Sequence, residues 1–342
     1  MRVSDFNYNL PKDRIAQFPP AIRGTTRLLV LDRRTGNIEH RHYSGMLDYL
    51  KPGDIVVLNN TKVIKARLLA KNAQGQTREL LLLEFHSPKP NHHRHQALYM
   101  GTLHEGEELK IGSTTVVVER ITGNGTVDIS SENDLFKIAE TAGSMPLPPY
   151  LKREATSSDL KRYQTEFAEK AGSVAAPTAS LNFTSSLKSK LELKGVKVVE
   201  LTLHVGLGTF LPIRVDDLKQ HEMHSEYFEM PHKTVAAIQQ ARQTGNRIIA
   251  VGTTVCRTLE FAGAKLFEDK PSSLRGEADI FIYPGYKFKV IDMLLTNFHA
   301  PKSTVLMMAA AFAGWPNLKS AYEVAIDSDY KFLSYGDSML IL

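Results

Sequence analysis

From about residue 184 to the C-terminus, apolar runs of strand length alternate with segments of helical period, and this alternation constrains the fold more than any other feature. Residues 196–205 and 247–252 are rich in β-branched side chains and read as buried strands, as do 279–283 and 290–296. Helical patterns cover 184–194, 232–244, a segment opened by Thr253 and Thr254, 303–314 and 318–329. A further helix is expected from Asp159 to Ala171. Strands alternating with helices predict an α/β body. Ahead of it, 27–32 and 38–44 form an expected hairpin, 44–50 a short helix, and 54–59 a core strand ending in Asn59, Asn60 and Thr61.

Between about 62 and 143 the texture changes. Runs at 66–71, 79–86, 95–101, 107–111, 114–121 and 126–129 are strand-like and punctuated by glycine, which predicts a small antiparallel barrel or sandwich. The chain's 342 residues are enough for two domains. The expected division is an α/β body of 1–61 and 144–342 with a smaller antiparallel β-barrel, 62–143, inserted in it. Met145-Pro-Leu-Pro-Pro149 is a stiff hinge between them. The run Pro88-Lys-Pro-Asn-His-His-Arg-His95 reads as an exposed loop, because no nearby carboxylate or cysteine completes a ligand set.

In open α/β sheets ligands collect outside the carboxyl ends of the strands, so the residues following each strand are the candidates for a site. His204, Gly206 and Gly208 follow one strand; Thr253, Thr254 and Arg257 follow a second; Pro284-Gly285-Tyr286 follows a third; Thr296, Asn297, Phe298 and His299 follow a fourth. Ser303 and Thr304 open the helix after His299, where free N–H groups welcome a carboxylate. The segment 202–226 adds His221, His224 and Glu226, and the two histidines share a face if it is helical. A dinucleotide loop is excluded, since Leu211 stands where a third glycine is required. A zincin helix fails too, because His221 and His224 are three apart rather than four. From the residues alone, His204 is equally well a hydrogen-bonded core histidine and His221/His224 a solvated turn.

The net charge of +5 permits a polyanionic partner without demanding one. Basic residues crowd the first seventy positions, among them Arg23, Arg27 and Arg67, and on one face they form a phosphate-contacting surface. The single cysteine, Cys256, makes a thiolate zinc site implausible. The start of the chain has no apolar leader and the longest apolar run, 305–313, is too short for a membrane span, so a cytoplasmic protein without a membrane partner is expected.

Several motifs together carry a family resemblance. Ala175-Ala-Pro-Thr-Ala179, Thr202-Leu-His-Val-Gly-Leu-Gly-Thr-Phe210, His221-Glu-Met-His-Ser-Glu226, Val251-Gly-Thr-Thr254 with Arg257-Thr-Leu-Glu260, Asp279-Ile-Phe-Ile-Tyr-Pro-Gly285, Thr296-Asn-Phe-His299 with Pro301-Lys-Ser-Thr304, and Ser334-Tyr-Gly-Asp337 resemble the S-adenosylmethionine:tRNA ribosyltransferase-isomerases of queuosine biosynthesis. Ile15-Ala-Gln17, Arg27-Leu-Leu-Val-Leu-Asp32 and Pro52-Gly-Asp54 are similar to the same family, and the likeness is weakest over 71–140. The family usually reads Gly and His where this chain has Ser180 and Asn182. The intact remainder implies that this histidine is not obligatory.

The resemblance implies an enzyme that moves the ribosyl part of S-adenosylmethionine onto 7-aminomethyl-7-deazaguanine at the tRNA wobble position and isomerises it to an epoxycyclopentanediol. It implies S-adenosylmethionine as co-substrate, no metal or true cofactor, tRNA as partner, and a monomer is expected. The sulfonium acidifies the ribose 5′ C–H, so a base is needed, and adenine departure needs a proton donor. His204, His221, His224 and His299 form the expected catalytic pool, with Glu226 or Asp337 assisting. Expected substrate contacts are Pro177, Thr178, Asn182, Gly206, Gly208, Thr209, Thr253, Thr254, Arg257, Asn297, Ser303 and Thr304, with Tyr283 or Phe298 stacking on adenine. Arg257 or the helix opened by Ser303 is expected to take the methionine carboxylate. Competing readings are a non-catalytic RNA-binding protein and a metal-dependent hydrolase built on His221 and His224.

Overall fold

The structure is a computed structural model that describes residues 1–85, 92–123, 125–206, 208, 213, 215–268 and 272–342. The hairpin β1 (Arg27–Leu31) and β2 (Ile38–His42) leads through the 3-10 turns Tyr43–Tyr49 to β3 (Ile55–Asn59) and β4 (Thr61–Val63). Six strands follow: β5 (Arg67–Lys71), β6 (Thr77–Leu82), β7 (Arg94–Met100), β8 (Glu108–Ile111), β9 (Thr114–Gly123) and β10 (Thr126–Ser130). They close a barrel in the order β10-β7-β6-β5-β8-β9, with every pairing antiparallel. Alternating side chains such as Leu68, Ala70, Leu80, Leu82, Val116 and Val118 fill its interior. Helix α1 (Leu135–Ala142) plugs one end with Leu135 and Ile138, its start capped by Asp134 accepting from the N–H of Phe136 and Lys137.

The body then runs α2 (Asp159–Arg162), β11 (Lys170–Ser173), α3 (Ser185–Leu193), β12 (Lys197–Leu203), β13 (Glu226–Met230), α4 (His232–Gln243), β14 (Ile248–Val251) and α5 (Thr253–Ala262). It finishes with β15 (Leu274–Ala278), β16 (Met293–Asn297), α6 (Thr304–Ala313), α7 (Trp315–Asp327) and β17 (Ser338–Ile341). Nine strands form one mixed sheet in the order β15-β13-β12-β3-β14-β16-β17-β1-β2. Its centre, β12-β3-β14-β16, is parallel, so four carboxyl ends emerge on the same edge.

The uninterrupted apolar run of β3 reflects burial on both faces. Ile55 and Val57 pack with Ile238 of α4 and Val255 and Leu259 of α5, whereas Val56 and Leu58 pack with Leu187 and Leu191 of α3 on the other side. Each such aliphatic contributes about 1.5–3 kcal/mol by leaving water. Asp54, just ahead of β3, ties its start to β14 by accepting from the Arg247 guanidinium and from the backbone N–H of Arg247.

Four local expectations are corrected or refined. The helix expected over 159–171 is a single turn, because the buried Asp159 is held by Arg153 and Gln164 leaves the helix to bracket both the N–H and the C=O of Val63. The run 279–283 is not a strand; its apolar side chains pack on the core from irregular backbone, and the edge strand is the more polar β15 just before it. Residues 221–225 are likewise extended rather than helical, so His221 and His224 share no helix face. The segment 43–49 is 3-10 rather than α.

Candidate active site

A cavity of about 660 Å³ lies at the carboxyl edge of the parallel strands, a size suited to a small-molecule substrate. Of the residues singled out in the sequence, Pro177, Thr178, Gly208, Glu226, Thr253, Thr254, Arg257, Asn297, His299, Ser303 and Thr304 line it. They come from segments far apart in the chain. What brings them together is the sheet: β14 ends at Val251 and delivers Thr253 through Gly252, while β16 ends in Asn297 and delivers His299.

Gly252, at φ 96, makes the sharp turn from β14 into α5. Ser303 caps α6 by accepting from the Leu306 N–H while donating to the carbonyl of Ala300. Both helices thus start at the cavity wall, and the partial positive charge of their N-termini adds to Lys302 and Arg257. The wall here is therefore suited to an anion such as a carboxylate.

Arg257 is the most constrained of these groups. Its guanidinium is buried and donates to Glu226, whose other oxygen accepts from the N–H of Gly206 at 3.1 Å. Burial pushes Arg257 down to about 10, partly offset by Asp279, so it remains charged at neutral pH. Among the described residues its Nε has no hydrogen-bond partner. A buried donor without a partner costs about 1–3 kcal/mol.

His299 lines the same cavity. Its Nε2 is 2.8 Å from Thr296 Oγ1, its N–H donates to Tyr322 Oη, and its carbonyl accepts from Tyr8. These bonds hold both the ring and its backbone. Burial pushes the imidazole down to about 4, so it is neutral at pH 7 and able to accept a proton. Neighbouring Asn297 accepts from Thr178 Oγ1 at 2.7 Å, joining the Pro177–Thr178 turn to the end of β16.

Other expected residues lie off the cavity wall. His204, at the end of β12, is buried with Nδ1 2.7 Å from Thr61 Oγ1, and Gly172 leaves room for its ring: a Cβ there would sit 2.9 Å from His204 Nε2. Gly206 admits Glu84 of the barrel, not a ligand, since a Cβ would lie 2.4 Å from that carboxyl. His224 is exposed, and His221 is partly buried edge-on to Phe281, with its imidazole pushed down by burial and by His224. Among the described residues no cluster of three or more His, Cys, Asp or Glu is arranged to hold a metal.

Asp337 has its two oxygens occupied by the N–H groups of Arg27 and Lys331, and burial raises its carboxyl. Asn182 accepts from the N–H of Gly24, a bond that an imidazole nitrogen also accepts, which accounts for asparagine serving here. Phe298 is wholly buried among Tyr322, Tyr330 and Phe332, Tyr283 packs at a tilt against Phe281, and neither lines the cavity. Thr209 and residues 88–91 lie outside the described residues.

The three N-terminal arginines are engaged internally. Arg23 donates to the carbonyls of Gln164 and Leu181; Arg27 donates to Ser328 O and lies 3.8 Å over the Tyr330 ring; Arg67 pairs with Glu79 at 3.3 Å. Charge counting located them but could not see these partners. Sequence reasoning also missed wall residues, chiefly Tyr150, Tyr163 and Met308. Tyr150 follows the proline hinge and its hydroxyl is 2.5 Å from Ser334 Oγ, in the Ser334-Tyr-Gly-Asp337 motif. That motif also sends the Tyr335 hydroxyl to Asp159, where the Arg153 fork and Thr156 outweigh burial and hold the carboxylate below its usual range.

Comparison with known proteins agrees with this architecture. A family model described as queuosine biosynthesis protein matches residues 3–341. The S-adenosylmethionine:tRNA ribosyltransferase-isomerase of Chlorobaculum parvum is 52% identical over 343 residues and that of Halothermothrix orenii 45% over 353, each alignment covering 100% of both chains. The crystal structure of S-adenosylmethionine tRNA ribosyltransferase from Thermotoga maritima superposes with a TM-score of 0.57 at 35% identity, covering 99% of this chain and 100% of that one. With a family model spanning it nearly end to end and relatives sharing half of its residues over their full length, this chain belongs to the queuosine biosynthesis protein family of S-adenosylmethionine:tRNA ribosyltransferase-isomerases.

Proposed function

We propose that this protein transfers the ribosyl moiety of S-adenosylmethionine to the exocyclic amine of 7-aminomethyl-7-deazaguanine at the wobble position of tRNA and isomerises it to the epoxycyclopentanediol, releasing adenine and methionine. The observation that carries this reading is the pairing, on one cavity wall, of a neutral imidazole with a buried cation that lacks a full set of partners. His299 is the base for the ribose 5′ proton, acidified by the adjacent sulfonium. Arg257, with the N-termini of α5 and α6, takes the methionine carboxylate.

Glu226 orients Arg257 and holds the backbone N–H of Gly206. His204 acts as a positioning residue at the end of β12, and Asp337 as a latch joining the C-terminal strand to β1. His221 and His224, close to the wall residue Met223, remain candidates for the proton donor to departing adenine. Thr178 and Asn297, bonded to each other, are candidates for the ribose hydroxyls. Arg23, Arg27 and Arg67 buttress the surface that meets RNA rather than gripping phosphates themselves.

S-adenosylmethionine is a co-substrate in this scheme, and no separate cofactor is invoked. The protein is proposed to act as a cytoplasmic monomer, with residues 62–143 as an inserted barrel and 1–61 with 144–342 as the catalytic body. Among the described residues no helix is long and apolar enough to cross a membrane. Incubation with S-adenosylmethionine and precursor-modified tRNA tests the proposal: adenine and methionine should appear in equal amounts, dependent on both substrates.

A further inference from the structure

Beside the cavity the chain exposes a large ring that it has every means of burying. Phe18 is 63% exposed and Ile22 69%, although the segment between them is tightly anchored. Arg162 donates to the carbonyls of Pro20 and Ala21, and Arg153 donates to the carbonyl of Gln17. Two successive prolines, Pro19 and Pro20, stiffen the backbone further. The exposure is therefore preorganised.

Arg153 also covers one face of the ring. Its guanidinium carbon lies 4.4 Å from the Phe18 centroid, and a two-point fork to Asp159, at 2.7 and 2.8 Å, keeps it there. The opposite face is open. Lys152 and Lys161, both exposed, lie next in the chain to Arg153 and Arg162, with one exposed carboxylate, Glu154, on the other side of Arg153. The link to the cavity is short: the Gln17 side chain donates to the carbonyl of Tyr150, which lines it.

We infer that Phe18, backed by Arg153, is a stacking platform for an unpaired nucleobase of the RNA substrate next to the nucleotide that enters the cavity. An exposed aromatic face backed by a guanidinium fits a nucleobase, and the exposed lysines next in the chain to its anchoring arginines fit the phosphate, whereas an apolar peptide or a second copy of the chain gains nothing from the lysines. The inference rests on the proposed function for the identity of the RNA, but its readout is binding rather than chemistry.

The test compares the full-length wild type with Phe18→Ala and Phe18→Trp, using fluorescence anisotropy with an anticodon stem–loop RNA. Loss of one base–aromatic stack should weaken binding by about 5- to 100-fold. The KM for tRNA should rise by a similar factor while that for S-adenosylmethionine does not, and Phe18→Trp should restore both. The salt dependence of binding in Phe18→Ala should match the wild type, because no phosphate contact is lost. Equal RNA affinity in wild type and Phe18→Ala overturns the inference, as does a loss of self-association in Phe18→Ala with RNA affinity unchanged. A wild type that binds RNA through Phe18 but releases no adenine would defeat the proposed function and leave the platform standing.

Discussion

Replacing His299 by Asn removes a titrating imidazole while keeping a polar side chain at the cavity wall. In the unfolded chain the group titrates near its ordinary 6.5, and in the folded protein near 4, because burial opposes the charged form. Between those values the unfolded chain holds a proton that the native state does not. Stability is therefore full above about pH 6.5 and is lost as pH falls toward 4. At about 1.36 kcal/mol per pH unit the whole window is worth about 3 kcal/mol. Solvent in the cavity screens part of this, leaving about 1–2 kcal/mol between pH 7 and pH 5. Urea unfolding followed by the single tryptophan, Trp315, which packs on Phe6 in the body, reads the difference directly. The wild type should lose that increment over His299→Asn on going from pH 7 to pH 5. At pH 7 the same variant should lose about 10²- to 10⁴-fold in single-turnover adenine release with little change in KM, since a base is removed and binding is not. Equal acid sensitivity in the two proteins, together with an unchanged turnover rate, would refute the assignment of His299 as a buried neutral base.

Three further outcomes are expected. Glu226→Gln leaves Arg257 buried without its hydrogen-bonded counter-charge and should cost about 3–5 kcal/mol by urea unfolding, most of it regained when Arg257 is also replaced by Met. Asn182→His should keep the wild-type melting temperature, whereas Asn182→Leu, which strands the Gly24 N–H, should cost about 1–3 kcal/mol in the same measurement. Arg23→Ala should lower stability by about 1–3 kcal/mol through two orphaned carbonyls while the salt slope of tRNA binding stays constant, because that guanidinium faces Gln164 and Leu181.

The α/β body and the barrel were legible because their signals are local. The period of 184–194, the continuous apolar run of β3 and the glycine-punctuated strands of 66–130 each state their own secondary structure. The rule that ligands gather at strand ends found His299, Arg257, Thr253 and Asn297 without any contact information. It failed at 279–283, where an apolar run satisfied by packing looks the same as a strand. It also could not rank histidines: His204 and His299 both follow strands, but of the two only His299 lines the cavity. Which way a strand-end side chain turns depends on its partners, here the remote Thr61 for the ring of His204 and Thr296, with Tyr322 holding the backbone N–H, for His299. The internal partners of the N-terminal arginines were out of reach for the same reason, since composition records charge but not the carbonyls and the carboxylate that hold the guanidinium groups.

The central claim is that a neutral His299 and a buried, under-partnered Arg257 together make a site for ribosyl transfer from S-adenosylmethionine. Quantifying adenine released by purified wild type, His299→Asn and Arg257→Met, with S-adenosylmethionine and tRNA carrying 7-aminomethyl-7-deazaguanine, tests it most directly. The account predicts one adenine per ribosylated tRNA in the wild type, a slow rate at normal KM in His299→Asn, and a raised KM for S-adenosylmethionine in Arg257→Met. No tRNA-dependent adenine release from the folded wild type, or wild-type kinetics in both variants, would contradict it.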